Sequence, residues 1–154
     1  MVIPSLAIVR MTSGPELMLA YARQSDSAVL YATRSSGTWS TPATIPSALA
    51  AAPVALAALP GGDAVLAFHG TNDQLYYSTY SGGSWSAVAP LLSPNVGVVG
   101  SPALARGIGG DVAEIAFVES DGAAYHSRYA GGSWSTPVAI GGSSLAGIAL
   151  ARTP

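Results

Sequence analysis

"YSTYSGGSWSAVAP" (residues 77–90) is the stretch that decides how this chain folds. Close variants stand at 126–139, "HSRYAGGSWSTPVA", and in a worn form at 32–44, "ATRSSGTWSTPAT". Aligned on tryptophan, the three copies place Trp39, Trp85 and Trp134 at intervals of 46 and 49 residues. Periods of this size belong to propeller blades or solenoid units, so the repeat sets the architecture before any single motif does.

Outward from each tryptophan, four short segments recur. The first is small and apolar ("IPSLAIVRM", "APVALAALP", "SPALARGI"), and the second carries one aromatic, Tyr21, Phe68 or Phe117 ("ELMLAYAR", "DAVLAFHG", "VAEIAFVE"). The third reads "VLYATR", "LYYSTY" and "AYHSRY", and the fourth "TWSTPATI", "SWSAVAPL" and "SWSTPVAI". Runs rich in β-branched and aromatic residues, bounded by Gly, Asp, Asn or Ser, are strands of a meander. Gly, Pro and Ser interrupt every window of helical length. Four strands at this period make a propeller blade. The side chains also grow from the first strand to the fourth, as a wedge converging on a central channel requires.

The expected fold is therefore all-β: three four-stranded antiparallel blades, from repeats at 1–46, 47–92 and 93–141, and an inner strand of a partial fourth repeat at 142–154. Leu145 to Leu150 match the small apolar pattern of that strand. A closed propeller takes about 4 to 8 blades, so three wedges cover part of a circle and leave apolar end faces. Such faces exceed what a soluble monomer tolerates, and the expectation is a homo-oligomer, a six-bladed dimer being favoured.

The hairpin segments Ser78 to Trp85 and Ser127 to Trp134 fit the frame Ser-x-Asp-x-Gly-x-Thr-Trp of the Asp box carried by sialidase-type (BNR) propeller repeats. The aspartate position holds Tyr80 and Tyr129, and Arg34 in the first copy. In this form the chain resembles the repeats of bacterial and fungal propeller lectins, the fucose-binding group included. The resemblance implies sugar pockets between adjacent blades, built from Trp or Tyr with Arg and Glu. The sugar-contact candidates are accordingly Trp39, Trp85 and Trp134, with Arg23, His69 and Glu119 near the ends of the second strands, and His126, which aligns with Tyr77. Independently of any ligand, the motif reads as a turn and an anchor. Gly82-Gly83 and Gly131-Gly132 supply positive φ for a tight hairpin, and each tryptophan lays its ring on the blade, burying about 200 Å².

Composition narrows the function. Of 154 residues only 9% are charged, lysine is absent, and six scattered arginines leave a net charge of −2. Nucleic-acid binding needs a clustered basic footprint, and no membrane-length apolar run or signal peptide is evident. Cysteine is absent, and His69 and His126 have no carboxylate at ligand spacing, so neither a metal nor a cofactor is expected. A glycosidase needs paired carboxylates about 5 to 10 Å apart, yet Glu119 and Asp121 read as residues of a strand-end turn. The expected function is a non-catalytic, multivalent sugar-binding module. The rival is a structural or protein-interaction propeller fragment that assembles with itself and takes no small ligand.

Overall fold

The computed structural model describes residues 6–93, 96–107 and 113–150. Parts of the expected segments, at 3–5, 108, 112 and 151–154, lie outside these.

The described residues form three antiparallel sheets, and the last strand of the first runs to Leu49, beyond the expected boundary at 46. In blade 1, β1 (Leu6–Arg10) pairs with β2 (Leu17–Ala22), and β2 with β3 (Ala28–Ser35). The outer edge of β3 carries both β4 (Thr38–Trp39) and β5 (Ala43–Leu49), so the fourth strand is one strand broken at 40–42. Blade 2 repeats the plan with β6 (Ala55–Ala58), β7 (Ala64–His69), β8 (Leu75–Ser81), β9 (Ser84–Trp85) and β10 (Ala89–Pro90). Blade 3 does so with β11 (Val98–Arg106), β12 (Ala113–Glu119), β13 (Ala124–Ala130), β14 (Ser133–Trp134) and β15 (Val138–Gly141).

The blades stack in chain order. The leading face of blade 1 (Met18, Ala20, Val29, Ile45) shares a core with the trailing face of blade 2 (Leu56, Leu66, Phe68, Tyr80). The leading face of blade 2 (Val65, Ala67, Leu75, Tyr77) packs in the same way on Ala113, Ile115, Phe117 and Tyr129 of blade 3. Blade 2 is thus covered on both sides, and β7 is buried along its whole length. A strand covered on both faces has no use for hydrophobic alternation, which explains the unbroken "AVLAF" of its sequence. The inner strand β6 is Ala-Leu-Ala-Ala, small enough for the narrow end of the wedge.

Over Leu145 to Leu150, where the sequence pattern fits a further inner strand, the chain makes no ladder. Its start nevertheless follows the course of an inter-blade link. The Leu145 N–H donates to Gly122 O (3.1 Å), as Ala50 N–H does to Ser27 O (2.9 Å) and Val98 N–H to Asp73 O (2.8 Å). An inner strand becomes a strand by pairing with the second strand of its own blade, and no such strand of a fourth blade lies among the described residues.

Candidate functional site

The motif hairpins fix where each blade's aromatics lie. Gly82 and Gly83 have φ of 59° and 89°, and Gly131 and Gly132 of 59° and 84°. Two successive positive φ values are what a tight two-residue hairpin turn needs. Beyond the turn, Ser78 Oγ donates to Ser86 O (2.9 Å) and Ser127 Oγ to Ser135 O (2.7 Å). The hydroxyls of Ser40, Ser86 and Ser135 accept the backbone N–H of Thr33, Thr79 and Arg128 at 3.1, 3.0 and 3.1 Å. This clasp spans the break in each fourth strand. The serine after each tryptophan therefore has a structural task that the sequence reading did not give it.

Trp85 meets Tyr80 of its own blade (centroids 5.4 Å) and, edge to face, Tyr31 of blade 1 (5.7 Å, 76°). Trp134 repeats this with Tyr129 (5.1 Å) and with Tyr77 of blade 2 (5.9 Å, 83°). Both indole N–H groups are buried with no acceptor among the described residues. Trp39 has no blade behind it among the described residues and is 40% exposed. The tyrosines at the aspartate position are thus ring partners, and burial raises the phenol pKa of both Tyr80 and Tyr129.

Between the blades, near the outer ends of the second strands, the same cleft occurs twice. The first, about 370 Å³, lies between blades 1 and 2 and is lined by Ser47, Leu49, Phe68, Thr71, Asn72 and Tyr76. Its floor is the stacked pair Phe68–Tyr76 (5.8 Å, 24°), and Asn72 Nδ2 donates to the Tyr76 hydroxyl (2.9 Å). Gly70 is required here, since a Cβ would stand 2.7 Å from the Tyr76 ring. The second cleft, about 350 Å³, lies between blades 2 and 3 and includes Leu91, Ser93, Glu119, Tyr125, Trp134 and Thr136. Tyr125 lines it and stacks on the buried Phe117 (6.0 Å, 15°), and the Tyr125 hydroxyl donates to Asp121 Oδ2 (3.2 Å).

Their electrostatics differ. The first cleft carries no ionised side chain among its lining residues. In the second, partial burial and then the charge of Asp121 raise the carboxyl pKa of Glu119. Glu119 in turn is the main cause of the raised pKa of Tyr125. A third such position exists on the trailing face of blade 1, where Tyr21 pairs in register with Leu30 as Phe68 does with Tyr76. Arg23 stands there, bound to Asp26 through two hydrogen bonds of 2.9 and 2.6 Å. That bond holds the Asp26 carboxyl below its usual range and raises the guanidinium.

Of the residues singled out from sequence, Glu119 and Trp134 come together in one cleft. Trp85 is partly buried and packs against the core between blades 1 and 2. Arg23 and Trp39 belong to blade 1, whose trailing face meets no blade among the described residues. His69 sits one residue before the position of Glu119 and turns to the other face. It is buried, with Nδ1 3.0 Å from Gly100 O and Nε2 3.2 Å from Asp73 Oδ1, tying blade 2 to β11. His126 lies on the leading face of blade 3, 2.6 Å from Glu114. Sequence reasoning missed Tyr76, Tyr125 and Asn72; their signal was the second-strand aromatic facing a third-strand tyrosine in two of three repeats.

No family model matches the chain, and no curated protein does. Its fold does match solved structures. A fucose lectin from Kordia zhangzhouensis, in complex with methyl-fucoside, is similar with TM-score 0.64 and 14% identity, covering 85% of this chain and 96% of that one. AofleA from Arthrobotrys oligospora is similar with TM-score 0.69 and 15% identity over 96% of this chain and 47% of that one. The fucose-specific lectin from Aleuria aurantia gives 0.64 and 19%, covering 90% of this chain and 45% of that one. The chain thus spans about half the length of the last two. These likenesses establish the fold: all-β blades in the arrangement these structures share.

Proposed function

We propose that this chain is a carbohydrate-binding module that acts without catalysis, through several weak sites placed in the clefts between neighbouring blades. The observation that carries the reading is the duplicated cleft, each copy lined by a tyrosine stacked on a phenylalanine, with hydroxyl, amide or carboxylate groups around it. Sugars offer C–H faces that stack on rings and hydroxyls that need fixed donors and acceptors, and such a lining answers both. Tyr76, Asn72 and Thr71 serve the first site; Tyr125, Glu119 and Trp134 serve the second. Tyr21, Arg23 and Trp39 form half of a third, and Trp85 anchors its blade behind the first. The fold shared with fucose lectins makes a methyl-bearing deoxyhexose the first ligand to try. The hairpins read as an Asp-box frame whose acid has been replaced by an aromatic ring.

The same reading takes the partner of the uncovered end faces to be another copy of the chain, so that weak sites act together. The test is a titration of methyl α-L-fucoside followed by tyrosine and tryptophan resonances, with a glycan array on the same protein. Tyr76→Ala and Tyr125→Ala should each abolish one site and leave the other. Silence toward fucosylated, galactosylated and sialylated glycans at high protein density would overturn the proposal and leave the self-assembling scaffold as the better account.

A further inference from the structure

The two faces that meet no blade among the described residues, the leading face of blade 3 and the trailing face of blade 1, can be matched position by position with the two junctions that are covered. Inside the chain, Met18 of β2 packs in one core with Tyr80, and Val65 of β7 in one core with Tyr129. The position of Met18 and Val65 is fixed by register, opposite Thr33 and Thr79; in blade 3 it is Glu114, opposite Arg128. The position of Tyr80 and Tyr129, opposite the tryptophan, is Arg34 in blade 1. Both covered junctions therefore place an apolar side chain against tyrosine, whereas the two open faces hold an acid and a base at those same two places.

The neighbouring position behaves alike. Tyr31 receives Trp85 and Tyr77 receives Trp134, and the open faces carry the counterparts His126 and Trp39. Around them the open faces keep the apolar residues of an inter-blade core: Leu6, Ile8 and Trp39 on blade 1, Val138 and Ile140 on blade 3, all exposed.

We propose that the leading face of blade 3 docks on the trailing face of blade 1 of a second copy, Glu114 meeting Arg34 of that copy and His126 lying against its Trp39. This rests on the self-association read above and names its surface. A head-to-tail contact of this kind closes a ring when the rotation per copy allows. The chain covers 47% of AofleA and 45% of the Aleuria aurantia lectin, both of like fold, so two copies supply about one such chain. The charges give the contact its direction. Leading face on leading face would set Glu114 against its own copy, and trailing on trailing would do the same to Arg34; like-charge contacts of that kind are penalised. Each charge is also held in place before docking. Glu114 lies 2.6 Å from His126 Nε2 and 3.8 Å from Arg128 Nε, and Arg34 lies 3.4 Å from Glu16.

Sedimentation velocity of the full chain at micromolar concentration, across salt, tests this, with near-UV circular dichroism as the check on folding. The wild type should sediment as a dimer that loosens with salt. Arg34→Glu and Glu114→Arg should each weaken self-association about tenfold or more, and an equimolar mixture of the two variant chains should restore it, because both junctions of the mixed dimer then pair opposite charges. Glu114→Gln, which keeps the side chain's shape, should lower the salt sensitivity. A wild-type dimer unmoved by either reversal, or variants that mixing fails to rescue, would overturn this pairing while leaving self-association intact. A monomeric wild type would overturn both, and the sugar titration of the two in-chain clefts stands apart from either result.

Discussion

Ile45 and Ile140 occupy the same place in the outer strand, six residues after their blade's tryptophan, yet Ile45 is 2% exposed and Ile140 59%. Leu56 and Ile8 repeat the contrast on the inner strands, at 6% and 53%. Strand and register agree within each pair, and every member is a branched aliphatic; what differs is whether another blade lies alongside. Exposure in this molecule is a property of position along the row of blades. An apolar side chain at either end holds the place of a core residue in the middle of the chain without a blade alongside it.

The comparison breaks most readily at the tryptophans. Trp85→Ala removes a partly buried ring held between two tyrosines against a core, and should destabilise the chain by about 3 kcal/mol in chemical denaturation. Trp39→Ala deletes the counterpart on an open face and should cost the isolated chain under about 1 kcal/mol, while weakening self-association. Equal losses from the two substitutions would mean that Trp39 is already covered in the lone chain, and the contrast between middle and ends would fail.

A smaller effect sharpens the comparison within the hairpins. Ser78 and Ser127 are fully buried and hydrogen-bonded to the strand break, whereas blade 1 has Ala32 there and keeps the clasp from Ser40. Ser78→Ala should therefore cost about 1 kcal/mol, the net worth of one hydrogen bond, measured as a shift in denaturation midpoint at unchanged slope. A loss above about 3 kcal/mol would show that the hydroxyl holds the blade edge and that blade 1 compensates in some other way.

How much could be read in advance follows the same division. The blades were legible because Trp39, Trp85 and Trp134 carry a fixed period, and because Gly82-Gly83 and Gly131-Gly132 can serve one kind of turn. The clefts were less so. A cleft is made by residues from two blades, such as Ser47 with Tyr76 or Ser93 with Tyr125, and the repeat alignment ranks residues within a blade. His69 shows the cost of a one-residue slip: beside Glu119 in the alignment, it faces the opposite side of the sheet, because strand side chains alternate. The closing stretch after Gly142 matched an inner strand in composition, but a strand is defined by its partner, which local composition does not contain.

The smallest expected effect tells the two clefts apart. Glu119 has its carboxyl pKa raised, first by partial burial and then by Asp121. A raised folded-state pKa means that the folded chain holds this proton more tightly than the unfolded one. The group thus adds stability below its unfolded value of about 4.3, and that contribution is lost as pH rises through the folded value. At neutral pH the ionised carboxylate is a slight burden, so Glu119→Gln should raise the melting temperature a little at pH 7 and leave it unchanged near pH 4. If the carboxylate also accepts a sugar hydroxyl, the same variant should weaken binding in the cleft between blades 2 and 3 and spare the one that holds Tyr76. A variant less stable at pH 7 than the wild type would reverse the sign and make Glu119 a structural acceptor, leaving the two clefts alike in the chemistry they offer a ligand.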